Sequence, residues 1–208
     1  MPPINFRLLL VTDRHQIGGR SLPAVLRDAV DGGASAIQLR ERDLTTAELV
    51  SLSREIQAVT APRSVSLLVN DRVDLVLALN LTGVHLRANS LPVTVARRLL
   101  GPDRMVGAST HSVDEVRQAN KDGADYLVFG PIFDTVTKRS FGAPLGLDAL
   151  ADACRRSTVP VFAIGGVTSS RVRDVRRAGA HGVAVIGAVL TRDDVAAATQ
   201  ELLASLGS

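Results

Sequence analysis

Three stretches of similar sequence decide the fold: GGASAIQLR at 32–40, DGADYLVFG at 122–130 and AGAHGVAVIG at 178–187. Each has, in its first two residues, a glycine suited to end a helix and continues into a short, nearly unbroken apolar run. Such runs are typical of parallel strands that are covered on both faces. The repeated order therefore predicts helix, turn and strand units of an α/β protein.

The same pattern extends along the whole chain. Apolar runs predict strands at Arg7–Thr12, Ser35–Leu39, Ser66–Val69, Gly83–Leu86, Met105–Ala108, Asp125–Phe129, Val159–Ala163 and Gly182–Ile186. Amphipathic segments predict helices at Leu22–Gly32, Thr46–Val59, Arg72–Ala78, Pro92–Leu100, Val113–Asp122, Leu147–Arg156, Ser169–Gly179 and Asp193–Leu206. Asp114 and Ser169 are residue types that begin helices well.

Parallel units this regular either close into a (β/α)8 TIM barrel or form an open, doubly wound sheet. Eight units without a linker or a change of composition favour the barrel, as a single domain over residues 1–208. Active sites of such barrels lie at the carboxyl ends of the strands. The longest irregular stretch, Gly130–Gly146, is a candidate active-site loop.

Composition excludes several other classes of protein. Hydrophobic residues are 46% and charged residues 22%, the balance of a globular protein. Aromatic residues are only 3% and the basic residues form no run, which argues against a nucleic-acid surface. No run predicts a membrane helix, and the first apolar segment predicts a strand rather than a signal peptide. The lone Cys154 excludes an internal disulfide, and we expect a cytoplasmic protein.

Basic side chains follow two of the predicted strands. Arg40 and Arg42 come after the second strand, and Lys138 lies in the long loop, after Thr135 and Thr137. Arginine and lysine together suit a pyrophosphate, and threonine hydroxyls can donate to phosphate oxygens. The alternative is a solvated loop with ordinary surface charges.

Glycines follow the last two strands, at Gly165, Gly166 and Gly187. Loops at these positions form the recurrent phosphate site of this fold, because glycine lets backbone N–H groups come close to an anion. The alternative is that these glycines only form tight turns.

Asn70 and Asp71 end the third strand. A carboxylate there can hold Mg²⁺ against phosphate oxygens or pair with an arginine, and the sequence leaves both open. The histidines show no metal-ligand spacing: His85 is expected to pack in the barrel, whereas His111 is a candidate site residue.

Seven motifs, in this order, resemble the thiamine-phosphate synthases and their TenI-like relatives. They are IQLRERDL at 37–44, LLVNDRVDLVLAL at 67–79, GVHL at 83–86, GASTHS at 107–112, DGADYLVFGPIFDTVTK at 122–138, VFAIGG at 161–166 and AGAHGVAVIGAV at 178–189. The resemblance runs from Leu9 to about Leu190. It implies a barrel that joins 4-amino-2-methyl-5-hydroxymethylpyrimidine diphosphate (the pyrimidine diphosphate) to 4-methyl-5-hydroxyethylthiazole phosphate (the thiazole phosphate), giving thiamine phosphate and pyrophosphate.

The resemblance also implies roles for individual residues. Arg40, Lys138 and Ser109 would be catalytic, and Asp71 would bind Mg²⁺, the expected cofactor. Residues that would contact the pyrimidine diphosphate are Gln38, Arg40, Arg42, Asn70, Ser109 and Lys138. Those that would contact the thiazole phosphate are Thr135, Thr137, Gly166, Ile186 and Gly187. Arginine at 42 and glycine at 187 replace the lysine and serine usual in the family.

One departure separates the possible activities. Where synthases carry a second Mg²⁺-binding aspartate after GVHL, this chain has Arg87-Ala88-Asn89-Ser90, with Ser90 at the aspartate position. A TenI-like thiazole phosphate tautomerase would instead have a catalytic histidine where this chain has Pro131. Synthase, tautomerase and a non-catalytic phosphate-binding barrel therefore stay open, as does the question of a homo-oligomer.

Overall fold

The strands form a closed parallel sheet in the computed structural model, which describes residues 3–134 and 143–207. Eight strands in these residues pair in chain order, and the last pairs with the first. They are β1 (Leu8–Val11), β2 (Ala36–Leu39), β3 (Ser66–Asn70), β4 (Gly83–Leu86), β5 (Met105–Thr110), β6 (Tyr126–Phe129), β7 (Val161–Ile164) and β8 (Gly182–Val185). The predicted (β/α)8 barrel is confirmed.

Helices follow the strands and cover the outside of the barrel. They are α1 (Leu22–Asp31), α2 (Thr46–Thr60), α3 (Val73–Leu79), α4 (Val93–Leu100), α5 (Val113–Lys121), α6 (Gly146–Arg156), α7 (Ser169–Arg177), α8 (Gly187–Leu190) and α9 (Val195–Leu206). Short 3-10 helices lie at Arg14–Gln16 and Ala61–Arg63. Among the described residues, no helix combines the length and apolarity needed to cross a membrane.

Alternate residues of each strand face two separate cores, because successive side chains in a strand point to opposite sides. Leu9 and Val11 of β1 pack inside the barrel in a cluster with Tyr126 and Phe162. Leu10, between them, belongs to the larger layer between the strands and the helices. Burial on both sides explains why the strand sequences are apolar without alternation.

Helices α5 and α7 begin at Val113 and Ser169, as predicted, but neither Asp114 nor Ser169 stands at the capping position. Helix α5 begins after Ser112, whose hydroxyl accepts from the backbone N–H of Glu115, so that Asp114 lies inside the first turn. The residue before α7 is Thr168, whose side chain makes no capping hydrogen bond. Sequence alone does not tell which of several neighbouring polar residues caps a helix, because each type can satisfy the first free N–H groups.

A buried ion pair fixes α4 at the end of the barrel away from the site. Arg97 pairs with Asp125, whose side chain is 1% exposed, and also donates to the carbonyl oxygens of Gly101 and Arg104 at 2.8 Å each. Asp125 accepts a further bond of 2.7 Å from the backbone N–H of Val106. One guanidinium thus connects α4 to the segments that enter β5 and β6.

Candidate active site

The strand alternation brings polar residues to the mouth of the barrel. Gln38, Asn70, His85 and Ser109 each stand in the inward-facing phase of their strand, near its carboxyl end. Inward residues closer to the other end are apolar, as in the cluster around Phe162. The polar side chains therefore collect at one rim, as the sequence predicted.

Hydrogen bonds join the ends of β2, β3 and β4 into one chain. Gln38 donates to the Asn70 side-chain oxygen at 3.0 Å, and Asn70 donates to the Asp71 carboxylate at 2.9 Å. Asp71 in turn accepts from the backbone N–H of Arg87 at 3.0 Å and pairs with the Arg87 guanidinium. Asp71 is therefore paired with an arginine of the neighbouring strand end.

Asp71 reaches these partners through an unusual backbone conformation. Its φ is 61°, in the left-handed region that aspartate and asparagine tolerate better than most residues. This backbone turn directs the side chain of Asp71 over the end of β4. Burial acts to raise the pKa of Asp71, but hydrogen bonds from Ser90 and Arg87 outweigh it and leave the pKa below its usual value.

Arg40 is held by a buried network at the ends of β1 and β2. Its backbone N–H donates to the Thr12 hydroxyl at 2.9 Å, and Thr12 donates to the Glu41 carboxylate at 2.6 Å. Glu41 also pairs with Arg14 at 3.3 Å. The Glu41 carboxylate is thus engaged by Thr12 and Arg14. Among the residues that the structure describes, no hydrogen-bond acceptor is found for the guanidinium of Arg40.

Three guanidinium groups share the space above β2 and β4. Burial lowers the pKa of Arg40, and the positive charges of Arg42 and Arg87 lower it further. The half-buried Arg40 and the exposed Arg42 line a cavity of about 250 Å³ together with Asp13, His15, Glu41 and Asp43. A group of mutually repelling cations at a concave surface is stabilised by an anion that bridges them.

A larger groove, of about 480 Å³, lies elsewhere, over the first turns of α9. Three carboxylates line it, those of Asp193, Asp194 and Glu201, against the single cation Arg192. Its negative charge makes it unsuited to phosphates. The smaller cavity is also lined by three carboxylates, but Glu41 and Asp43 are paired with Arg14. With Arg40 and Arg42 in its lining, it fits an anionic substrate better despite its size.

His85 connects Ser109 to the middle of the barrel. Its Nε2 lies 2.9 Å from the Ser109 hydroxyl and its Nδ1 lies 3.0 Å from the Tyr126 hydroxyl. Gly107 stands between His85 and Tyr126 in the register, and a Cβ there would lie 2.1 Å from the Tyr126 ring. The missing side chain at 107 is what lets Tyr126 reach His85.

Burial lowers the pKa of His85 to about 4, so that the ring is neutral at pH 7. The unfolded chain takes up this proton near pH 6.5, whereas the folded chain does so only near pH 4. As the pH falls between these values, we expect His85 to remove about 3 kcal/mol from the free energy of unfolding.

Urea unfolding of the wild-type chain and His85→Gln at several pH values tests this expectation. The gap in stability between the two proteins should narrow, or reverse, as the pH is lowered from 7 towards 4.5. A gap that stays constant with pH would contradict a neutral, buried His85.

The ends of β7 and β8 form a second, less polar corner. Ile164 pairs with Ala184, so the segments that carry Gly166 and Ile186 leave the barrel from the ends of neighbouring strands. Gly166 has a φ of 64°, and a Cβ there would lie 2.9 Å from the Asp134 carbonyl oxygen. Glycine is required at this position because the chain approaches the 130–134 segment closely.

Arg171 of α7 also lies at this corner. It donates to the Gly166 carbonyl at 2.7 Å and stacks 4.5 Å from the centre of the Phe133 ring. The backbone N–H groups of Ile132 and Phe133 donate to the carbonyls of Ile164 and Gly165 at 2.9 and 3.0 Å. The start of the long loop is therefore attached directly to the end of β7.

The predicted site residues fall into two groups on opposite sides of the barrel. Gln38, Arg40, Asn70, Asp71 and Ser109 lie at β2 to β5. Gly166, Ile186 and Gly187 lie at β7 and β8. Thr135, Thr137 and Lys138 lie outside the described residues.

Comparison with known proteins gives a consistent result. The family model described as thiamine monophosphate synthase matches residues 8–189. The chain belongs to the thiamine monophosphate synthase family. A thiamine-phosphate synthase of Clostridium novyi is 41% identical over 96% of this chain and 98% of its own length. One of Chloroflexus aurantiacus is 44% identical over 97% of this chain and 93% of its own length.

A solved structure agrees with the sequence relatives. The thiamine phosphate pyrophosphorylase of Pyrococcus furiosus superposes with a TM-score of 0.87 at 34% identity, over 96% of this chain and 95% of that one. The family resemblance predicted from the motifs is therefore confirmed over nearly the whole chain.

The described residues do not form the acidic pair that the family resemblance associates with Mg²⁺. Asp71 stands alone, because position 90 is serine, and the described residues contain no group of three or more His, Cys, Asp or Glu side chains that could hold a metal. Both oxygens of Asp71 already accept N–H donors, and Ser90 bonds to the same carboxylate. This arrangement does not fit a metal ion without displacing one of these partners.

Sequence reasoning placed Arg87 after the fourth strand but assigned it no role in the site. It follows His85 by two residues and so continues the inward phase of β4, which is the signal that could have identified it. The sequence pattern gave no sign of its bond to Asp71, because that bond depends on the positive φ of Asp71.

Proposed function

We propose that this chain is a thiamine-phosphate synthase, a transferase that joins the pyrimidine diphosphate to the thiazole phosphate and releases pyrophosphate. The observation that carries the proposal is the group of Arg40, Arg42 and Arg87, whose positive charges act on one another at the ends of β2 and β4. Arg40 and Arg42 line one cavity, and Arg87 is oriented by its pair with Asp71. The synthase names of relatives more than 40% identical over nearly full length support it.

The reaction needs a stabilised leaving group more than it needs a base. The bond between the pyrimidine methylene carbon and the diphosphate oxygen breaks, and its electron pair leaves with the pyrophosphate. The lone pair of the thiazole nitrogen then forms the new carbon–nitrogen bond. Arg40 and its neighbouring guanidinium groups stabilise the charge that develops on the pyrophosphate.

Correct placement of the two substrates also accelerates the reaction. Gln38 and Asn70 are joined by a hydrogen bond and present a fixed polar edge to the pyrimidine diphosphate. Ser109, held by the neutral His85, contacts the same substrate from β5. Arg42 contacts it from the rim, and Lys138 remains a predicted contact outside the described residues. Holding two reactants in line in this way lowers the entropic barrier to their combination.

The thiazole phosphate is assigned to the corner at β7 and β8. Gly166 and Gly187 leave room for a phosphate, Ile186 contributes an apolar wall, and Arg171 adds a positive charge beside Gly166. Thr135 and Thr137 remain predicted contacts. Because this corner faces β2 to β4 across the barrel, the two substrates meet over Ser109 and His85.

Magnesium remains a prediction of the family resemblance, and a cytoplasmic location remains a prediction of composition. The steps given above need only the side chains of this chain. The tautomerase alternative has no support in the structure, because Pro131 stands where that activity needs a histidine, and proline cannot transfer a proton.

Incubation of the purified chain with both substrates tests the proposal. We expect thiamine phosphate and pyrophosphate to appear in equal amounts, and neither to form when one substrate is left out. A preparation that binds both substrates but yields no thiamine phosphate would contradict the proposal. Isotope exchange into a thiazole carboxylate phosphate, without synthesis, would favour the tautomerase.

A further inference from the structure

The segment after β4 carries a positive charge where the family resemblance leads one to expect a metal-binding acid. Residues 87–90 read Arg-Ala-Asn-Ser and contain no carboxylate. Arg87 extends from the inward phase of β4, and its guanidinium is bonded to Asp71. The corner of the site between β3 and β4 therefore contains a cation that belongs to the protein itself.

The bonds of Asp71 leave little room for a second cation. One oxygen accepts the backbone N–H of Arg87 at 3.0 Å, and the other accepts Asn70 at 2.9 Å and the Nε of Arg87. Ser90 adds a hydroxyl to the same carboxylate. A carboxylate offers about four lone-pair positions, and four donors surround this one. A metal ion could bind Asp71 only after Arg87 or Ser90 had moved away.

The rest of the Arg87 guanidinium is available to an anion. Asp71 is bonded through Nε, and within the described residues no acceptor is found for Nη1 or Nη2. The side chain is 40% exposed, and its charge is close enough to Arg40 to disfavour the protonated form of that residue. Arg87 and Arg40 thus border the same space from β4 and β2.

We propose that Arg87, oriented by Asp71, binds the diphosphate of the substrate in place of a protein-bound metal ion. Nε is used to hold the side chain, and the Nη groups donate to phosphate oxygens in the forked arrangement that arginine favours. The inference rests on the proposed function for the identity of the substrate. It predicts that the protein binds pyrophosphate without a divalent cation.

Calorimetric titration with inorganic pyrophosphate, in the presence of a chelator, tests this inference directly. The wild-type chain is expected to bind, and Arg87→Met to bind about tenfold to a hundredfold more weakly. Arg98→Met, an exposed arginine on α4, is the matched control and should bind like the wild type. Far-UV circular dichroism verifies that each variant is folded.

A second variant restores the acid that this chain lacks. Arg87→Gly combined with Ser90→Asp should bind pyrophosphate weakly in chelator and regain affinity when Mg²⁺ is added, whereas Mg²⁺ should help the wild type much less. The inference is overturned if the wild type binds only with Mg²⁺, or if Arg87→Met binds as well as the wild type in chelator.

Pyrophosphate binding and thiamine phosphate synthesis, measured on the same proteins, test this inference and the proposed function separately. Metal-free binding that depends on Arg87, in a chain that makes no thiamine phosphate, would support the role of Arg87 and refute the synthase. Synthesis of thiamine phosphate by a chain whose metal-free binding of pyrophosphate does not depend on Arg87 would support the synthase and refute the role of Arg87.

Discussion

Replacing Arg40 by methionine is expected to lower kcat/KM for thiamine phosphate formation by about 10²–10³-fold, the range for loss of one preorganised charge-stabilising donor. Arg40 is half-buried, and its backbone is fixed by Thr12 and Glu41. Its donors therefore meet the leaving pyrophosphate with little reorganisation. Methionine keeps much of the apolar stem and removes the charge and the N–H donors.

Steady-state kinetics with both substrates varied measures this effect. Most of the loss should fall on kcat, because the charge on the pyrophosphate increases as the bond breaks. Arg63→Met, which removes an exposed arginine paired with Asp31, is the control and should keep full activity. An Arg40→Met enzyme with nearly normal kcat would show that the diphosphate binds elsewhere.

Replacing Arg97 by methionine is expected to lower the free energy of unfolding by about 3–5 kcal/mol, the cost of leaving a buried charge unpaired. Asp125 would keep its bond from Val106, but its 1% exposed carboxylate would lose its counter-charge. The carbonyls of Gly101 and Arg104 would lose their donor as well. The loss should appear in stability rather than in catalysis, because this pair lies at the end of the barrel opposite the site.

Chemical unfolding followed by far-UV circular dichroism measures the change. Adding Asp125→Asn to Arg97→Met should recover part of the stability, since the double variant no longer buries an uncompensated charge. If the double variant is less stable than Arg97→Met alone by the full cost of Asp125→Asn, the two residues are not coupled and the account of this pair fails.

The sequence was sufficient to predict the architecture because its main signal is local. Continuous apolar runs such as YLVF at 126–129 recur at each strand, and helix-ending glycines precede several of them. All eight strands were found within two residues of their bounds. Helix α8, Gly187–Leu190, was missed because four residues are too few for a period of 3.6 to be recognised.

The site was predictable where it follows strand phase and was not where it depends on backbone conformation. Gln38 and Asn70 were predicted at neighbouring strand ends, and they are hydrogen bonded. The partner of Asp71 was not predicted, because a φ of 61° at that residue directs its carboxylate over β4. The link from Ser109 through His85 to Tyr126 likewise depends on the space left by Gly107 on the strand between them.

A crystal structure of the chain grown with pyrophosphate and thiamine phosphate tests the central claim most directly. The account predicts pyrophosphate between Arg40 and Arg87, above Asn70, and the phosphate of thiamine phosphate beside Gly166 at the ends of β7 and β8. Pyrophosphate bound away from both arginines, or a product phosphate at the β2 to β4 corner, would contradict it.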